Sequence, residues 1–151
     1  MKSWNVICRA AGAFAVVSLV GCSNMGSLSS ATSAFDQLGG MNTVKQLAGG
    51  FVNSSMKDPR LSGMLAGKSV DAVASSAKVS DQLCSMLGGG CKAPLNDDQL
   101  KAAAGKLSPE QSKALSDNFS STLNTLASNP AVRDAVTKSL GSKLGGLAGL
   151  L

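Results

Sequence analysis

The apolar positions of this chain form one dense run near the start and then a series of stripes spaced by three and four. The dense run, Ala10 to Val20, follows Lys2 and Arg9 and is followed by Gly21 and Cys22. It is too short to cross a bilayer as a permanent helix. Ser23 to Ala34 holds mainly Ser, Asn, Gly, Ala and Thr, the composition of a flexible tether. Phe35-Asp36-Gln37-Leu38-Gly39-Gly40 predicts a short helical turn broken by glycines. Met41, Val44, Leu47, Ala48, Phe51, Val52 and Ser55 then recur at helical spacing and predict one buried stripe from Met41 to Met56. Gly49 and Gly50 weaken that helix by about 1 kcal/mol each. Asp58-Pro59 ends it, because a residue before proline avoids the α region.

Leu61 to Leu65 is a brief apolar connection. Ser69 to Leu87 predicts a long helix with Val70, Val73, Ala74, Ala77, Met86 and Leu87 inward, stopped by Gly88-Gly89-Gly90. Asn96-Asp97-Asp98 caps a short helix from Asp97 to about Gly105. Ser108-Pro109-Glu110-Gln111 is the strongest local signal: a serine cap, proline at the first helical position and glutamine closing a capping box. The helix it opens is expected to bury Leu115, Phe119, Thr122, Leu123 and Leu126. Asn129-Pro130 repeats the device and opens a last helix with Val132, Ala135, Val136, Leu140 and Leu144 inward. The tail, residues 145–151, is glycine- and leucine-rich and either frays or folds back. No stretch reads as a strand, so the expected fold class is all-α. The expected organisation is a leader at 1–21, a tether at 22–34, a helical domain at 35–144 and the tail.

Composition adds limits. The chain has 151 residues, 44% hydrophobic and 15% charged, enough for one core. Its net charge of +5 falls to a scattered surplus of three once Lys2 and Arg9 are assigned to a cleaved leader. Phe35, Phe51 and Phe119 are then the only aromatic residues, so nucleic-acid binding has no support.

Leu19-Val20-Gly21-Cys22 resembles the bacterial lipobox, whose cysteine is lipidated and becomes the new N-terminus. The alternative is an ordinary secretory leader with a chance cysteine. Ser23, rather than aspartate, follows Cys22, and in lipoproteins this implies sorting to the outer membrane, facing the periplasm. Cys8 leaves with the leader and Cys22 takes the lipid, so Cys84 and Cys91 remain as a pair. They flank the helix end at Gly88-Gly89-Gly90, where one reversal of the backbone brings two cysteines within disulfide reach. An oxidising compartment is where such a pair bonds.

Taken in order, these pieces resemble a truncated haemoglobin of group I, the two-over-two globin. Phe35-Asp36-Gln37-Leu38-Gly39-Gly40 is similar to the opening (Phe/Tyr)-x-x-Leu-Gly-Gly motif. Phe51 with Pro59-Arg60-Leu61 is similar to the Phe-Tyr…Asp-Pro-Arg-Leu segment. Gln82-Leu83-Cys84…Gly88-Gly89-Gly90-Cys91 is similar to the Gln-x-Cys…Gly-Gly-Pro-Cys of a disulfide-bearing lipoprotein subset. Leu107-Ser108 is similar to the Ile-Thr that starts the next helix. The run covers roughly Phe35 to Ala127, and it implies pocket positions at Phe51, Val52, Leu65, Val79, Leu83 and Ala102.

The same alignment removes the chemistry. The iron-ligating histidine falls on Ala102, the distal tyrosine on Val52, a second tyrosine on Ala93 and the distal glutamine around Val79. The chain contains no histidine anywhere, which excludes ordinary histidine-ligated haem. Met64, Met86, Lys101 and Lys106 lie near the implied pocket. Methionines on helices usually fill gaps in cores, and lysines near helix ends usually stay solvated. No cofactor and no metal ligand set is expected, since Cys84 and Cys91 alone fall short of a zinc site. Glu110 belongs to a helix start, and Asp97-Asp98 to a cap, so no enzymatic activity is expected.

The expected function is a lipid-anchored, truncated-globin-like domain without standard haem ligation, serving as a binding or structural module of the envelope. Its former pocket either collapses around Phe51, Val52, Leu83 and Leu87 or takes a small apolar ligand. Haem and diatomic-gas binding through a different axial ligand is one alternative. A helical interaction lipoprotein with only architectural likeness is another, since fold does not fix function.

Overall fold

The computed structural model describes residues 33–151. The expected leader at 1–21, Cys22 and the expected tether up to Thr32 lie outside the described residues. Every regular element among the described residues is helical.

Helix α1 (Ala34–Leu38) starts earlier than expected. Ser33 caps it, its Oγ accepting the Asp36 N–H, and Ala34 is buried instead of belonging to a tether. Helix α2 (Gly40–Lys57) is the central element. Val44, Leu47, Ala48, Phe51, Val52 and Ser55 form its buried stripe, as the spacing predicts. Asp58 ends α2 and caps a 3₁₀ turn, Pro59–Leu61, by accepting the Arg60 N–H. A single turn, α3 (Ser62–Leu65), follows.

Helix α4 (Ala72–Met86) departs from the expected pattern at its beginning. Asp71 caps it by accepting the N–H groups of Val73 and Ala74, so the helix starts three residues later than Ser69. The inward face is Ser75, Val79, Ser80, Gln82, Leu83 and Cys84. Val73 is 80% exposed, and Ala74 and Ala77 face solvent as well. The reason is steric and polar. Small serines, Ser75 and Ser80, take inward positions, and Gln82 is accommodated because its Oε1 accepts the Leu95 N–H at 2.9 Å.

Helix α5 (Asp97–Ala104) opens on a reciprocal capping box between Asn96 and Gln99. Helix α6 (Pro109–Leu126) opens on the expected box between Ser108 and Gln111. Its inward residues are Ala114, Leu115, Phe119 and Leu123, with Thr122 and Leu126 half-buried. Helix α7 (Pro130–Leu140) is capped by Asn129 and buries Val136 and Leu140.

Helix α2 pairs with α4 on one side and crosses α6 on another. The α2–α6 crossing is close at Gly50, where a Cβ would lie 2.5 Å from the Thr122 Cγ2. Phe51 and Phe119 meet edge to face below this point, ring centroids 5.9 Å apart. Helix α7 packs on α1 and on the segment that follows it.

That segment is the tail, and it folds back. Gly141–Leu150 is a 3₁₀ helix that packs chiefly on α5 and also reaches α4, α6 and α7. With three residues per turn, side chains at i and i+3 eclipse one another. Leu144, Leu147 and Leu150 therefore share one row, and Lys143, Gly146 and Gly149 another. The second row meets α5. Lys143 Nζ donates to Asp97 at 2.8 Å, and Gly146 and Gly149 lie over Leu100 and Ala103. Leu147, Ala148, Leu150 and Leu151 are buried, so the core extends past the expected domain limit at 144.

Candidate functional site

The six positions implied by the resemblance separate in space. Phe51, Val52, Val79 and Leu83 are fully buried and belong to one core with Leu61, Leu115 and Phe119. Leu65 is half-buried at the edge of that core. Ala102 is exposed; on α5 it is Leu100, Ala103 and Ala104 that turn toward the 3₁₀ segment. Among the remaining candidates, Met64 and Met86 are half-buried, and Lys101 and Lys106 are exposed.

Haem is the group the resemblance implies, and these residues do not fit it. The chain supplies no imidazole, the aligned ligand position faces outward, and the inner face of α5 is covered by the glycine row of the chain's own tail. No chemistry is therefore routed through iron here. Among the described residues no group of His, Cys, Asp and Glu side chains converges as a metal site.

The cysteine corner is assembled from three directions. Cys84 and Cys91 are disulfide-bonded, Cα atoms 5.6 Å apart. Gly89 N–H donates to the Cys84 carbonyl at 2.8 Å, folding the loop over the helix end. A Cβ on Gly89 would lie 2.6 Å from both the Cys84 Sγ and the Phe35 ring, so only glycine fits there. Phe35 N–H donates to the Leu87 carbonyl at 3.0 Å. The start of α1 is thus bonded directly to the end of α4.

A second polar constellation sits where α2 turns toward α3. Arg60 reaches back to both carboxylate oxygens of Asp58, Nε to Oδ1 at 3.1 Å and Nη2 to Oδ2 at 2.8 Å. Its Nη1 donates to Asp117 on α6 at 2.9 Å, and Asn118 Nδ2 donates to Asp58. Lys113 completes the set on Asp117. The Arg60 hydrogen bonds hold the Asp58 carboxyl at about 2, against an ordinary 3.8. The same bonds raise Arg60, and Lys113, then Arg60, lower Asp117. No acid here is poised near neutral pH, so the constellation is a clamp rather than a proton-transfer site. Sequence reading found Asp58-Pro59 as a helix terminator and Arg60 as part of a motif, but not their partners on α6.

Two clefts flank the buried end of the tail. One, of about 480 Å³, lies between the first turn of α4, Pro94-Leu95 and Gly149–Leu151. The other, of about 340 Å³, lies between Met64, the end of α5 and Ala148-Gly149. Lys68 and Gly149 border both. Met64 and Lys106 in the second cleft were singled out in the sequence; Lys68, Gly149 and the end of the tail were not. The signal was present as leucine at every third position from Leu144 to Leu150, a 3₁₀ rather than an α period. No family model, curated protein or solved structure matches the chain.

Proposed function

We propose that this chain is a lipid-anchored, periplasm-facing helical module of truncated-globin type that has given up haem and serves the envelope as a binding or structural domain. The ordered motifs from Phe35 to Ser108 support the globin-type reading, together with the pairing of α2 with α4 and the α2–α6 crossing. Packing of α7 on α1 and on the tail marks where a two-over-two arrangement would be altered. Lipid attachment at Cys22 and outer-membrane sorting rest on Leu19–Ser23 alone.

One observation carries the loss of haem. The tail lies across the inner face of α5 and buries Leu147, Ala148, Leu150 and Leu151 among helices α4 to α7, in a chain without histidine. The test is the visible spectrum of protein purified after haem supplementation. The expected result is no Soret band that scales with protein. A stoichiometric band abolished by changing Met64 or Lys106 would overturn the reading in favour of an unusual axial ligand.

A further inference from the structure

The clefts on either side of the tail share a wall, and that wall is nearly bare. Gly149 separates them without a side chain, and Lys68 stands at the rim of both. Each volume falls within the range of small-molecule sites. Their apolar surface comes from Met64 and Leu107 on one side and Val70 and Leu95 on the other.

The charge around them has one sign left over. Lys68, Lys78 and Lys106 make no ion pair among the described residues. Asp71 is the single side-chain carboxylate in the lining, and its Oδ1 already accepts two N–H groups at the start of α4, at 2.9 and 3.1 Å. The segment dividing the clefts packs closely on α5, but its helical form is costly to order. A ten-residue 3₁₀ helix is long for its type, its glycines lose much entropy on ordering, and its one side-chain tie to α5 is the exposed Lys143–Asp97 pair.

We propose that the two clefts are halves of one site for a single-chain anionic amphiphile, an acyl chain ending in a carboxylate or phosphate, opened when the Ala148–Leu151 end of the tail lifts. The chain enters between Leu95 and Leu107 in place of Leu150, and the head group meets Lys68 with Lys78 or Lys106. This proposal rests on the reading that the interior is free of haem, and it names the ligand class of that binding module.

The test is titration of the protein with dodecanoate, lysophosphatidylglycerol and dodecanol, each below its micelle concentration, followed by backbone amide NMR. Both anionic ligands should give saturable shifts at the first turn of α4, at Leu95 and at Ala148–Leu151. The preferred one of the two identifies a free fatty acid or a lipid as the source. Dodecanol should bind about fivefold more weakly, the value of one partly exposed ion pair. Lys68→Gln should bring dodecanoate down to the dodecanol level. Lys143→Ala, which frees the tail without touching either cleft, should tighten dodecanoate binding. Equal binding of dodecanol and dodecanoate, or no saturable shift in the wild type and in Lys143→Ala, would overturn the site. A Soret band in the haem experiment would defeat the functional reading separately, whatever this titration gives.

Discussion

Gly146 in the tail lies against the backbone of Leu100 in α5, so close that a Cβ there would sit 2.7 Å from the Leu100 carbonyl oxygen. No rotamer change relieves a contact with backbone. Gly146→Ala should therefore push the tail off α5 and destabilise the protein by roughly 1–3 kcal/mol, the usual cost of overpacking. A lowered urea midpoint with new hydrogen exchange in residues 141–151 is the expected outcome. An unchanged midpoint would mean the tail does not pack on α5 in this way.

The two adjacent glycines of α2 should behave oppositely. Nothing lies within 4 Å of a Cβ built on Gly49, so Gly49→Ala should stabilise the helix by about 0.5–1 kcal/mol. Gly50 faces Thr122, whose Oγ1 is fixed by donating to the Asn118 carbonyl at 2.9 Å. Gly50→Ala should cost about 1–3 kcal/mol, and adding Thr122→Ser, which deletes the offending methyl, should recover much of it. Thermal unfolding of the two single variants and the double variant decides the matter.

These contrasts show which parts of the fold were legible in the chain. The α2 stripe could be read because its apolar residues alone decide which face is inward. In α4 they do not: Ser75, Ser80 and Gln82 are inside while Val73 is outside, because small size and a hydrogen bond to Leu95 outweigh hydropathy there. The Asp71 cap sets that register, and it was hidden inside what looked like a continuous helix. The disulfide was legible from spacing. The clefts were not, because they depend on a tail whose threefold leucine period belongs to a rarer helix. Ala102 illustrates the limit of alignment: one position along α5 separates an inward residue, Ala103, from an exposed one.

The Asp58 clamp gives a pH dependence of definite sign. Its folded-state pKa of about 2 is below the ordinary 3.8, so the folded protein holds the carboxylate more strongly than the unfolded chain does. The stabilisation is complete above pH 3.8 and is lost as pH falls toward about 2. Asp117 and Asp97, also lowered by their cationic partners, act in the same direction. Asp58→Asn should lower stability near neutral pH and flatten the acid limb of the urea-midpoint profile. A variant that loses stability with the wild-type acid slope intact would assign that slope to other carboxylates.

The cysteine corner predicts where reduction is felt. Closing a loop this short contributes about 2–3 kcal/mol by restricting the unfolded chain. The bond also holds Gly89 against Phe35, and Phe35 N–H is bonded to Leu87, so the loop and α1 are fastened at one place. Cys84→Ala with Cys91→Ala should therefore lower the unfolding midpoint and raise hydrogen exchange first in residues 34–38 and 88–92. The α2–α6 contact around Phe51 and Phe119 should keep its protection until global unfolding, since it joins α2 to α6 whereas the corner joins α1 to α4. Uniform loss of protection across all helices would show that the disulfide supports the whole core rather than the junction of α1 with α4.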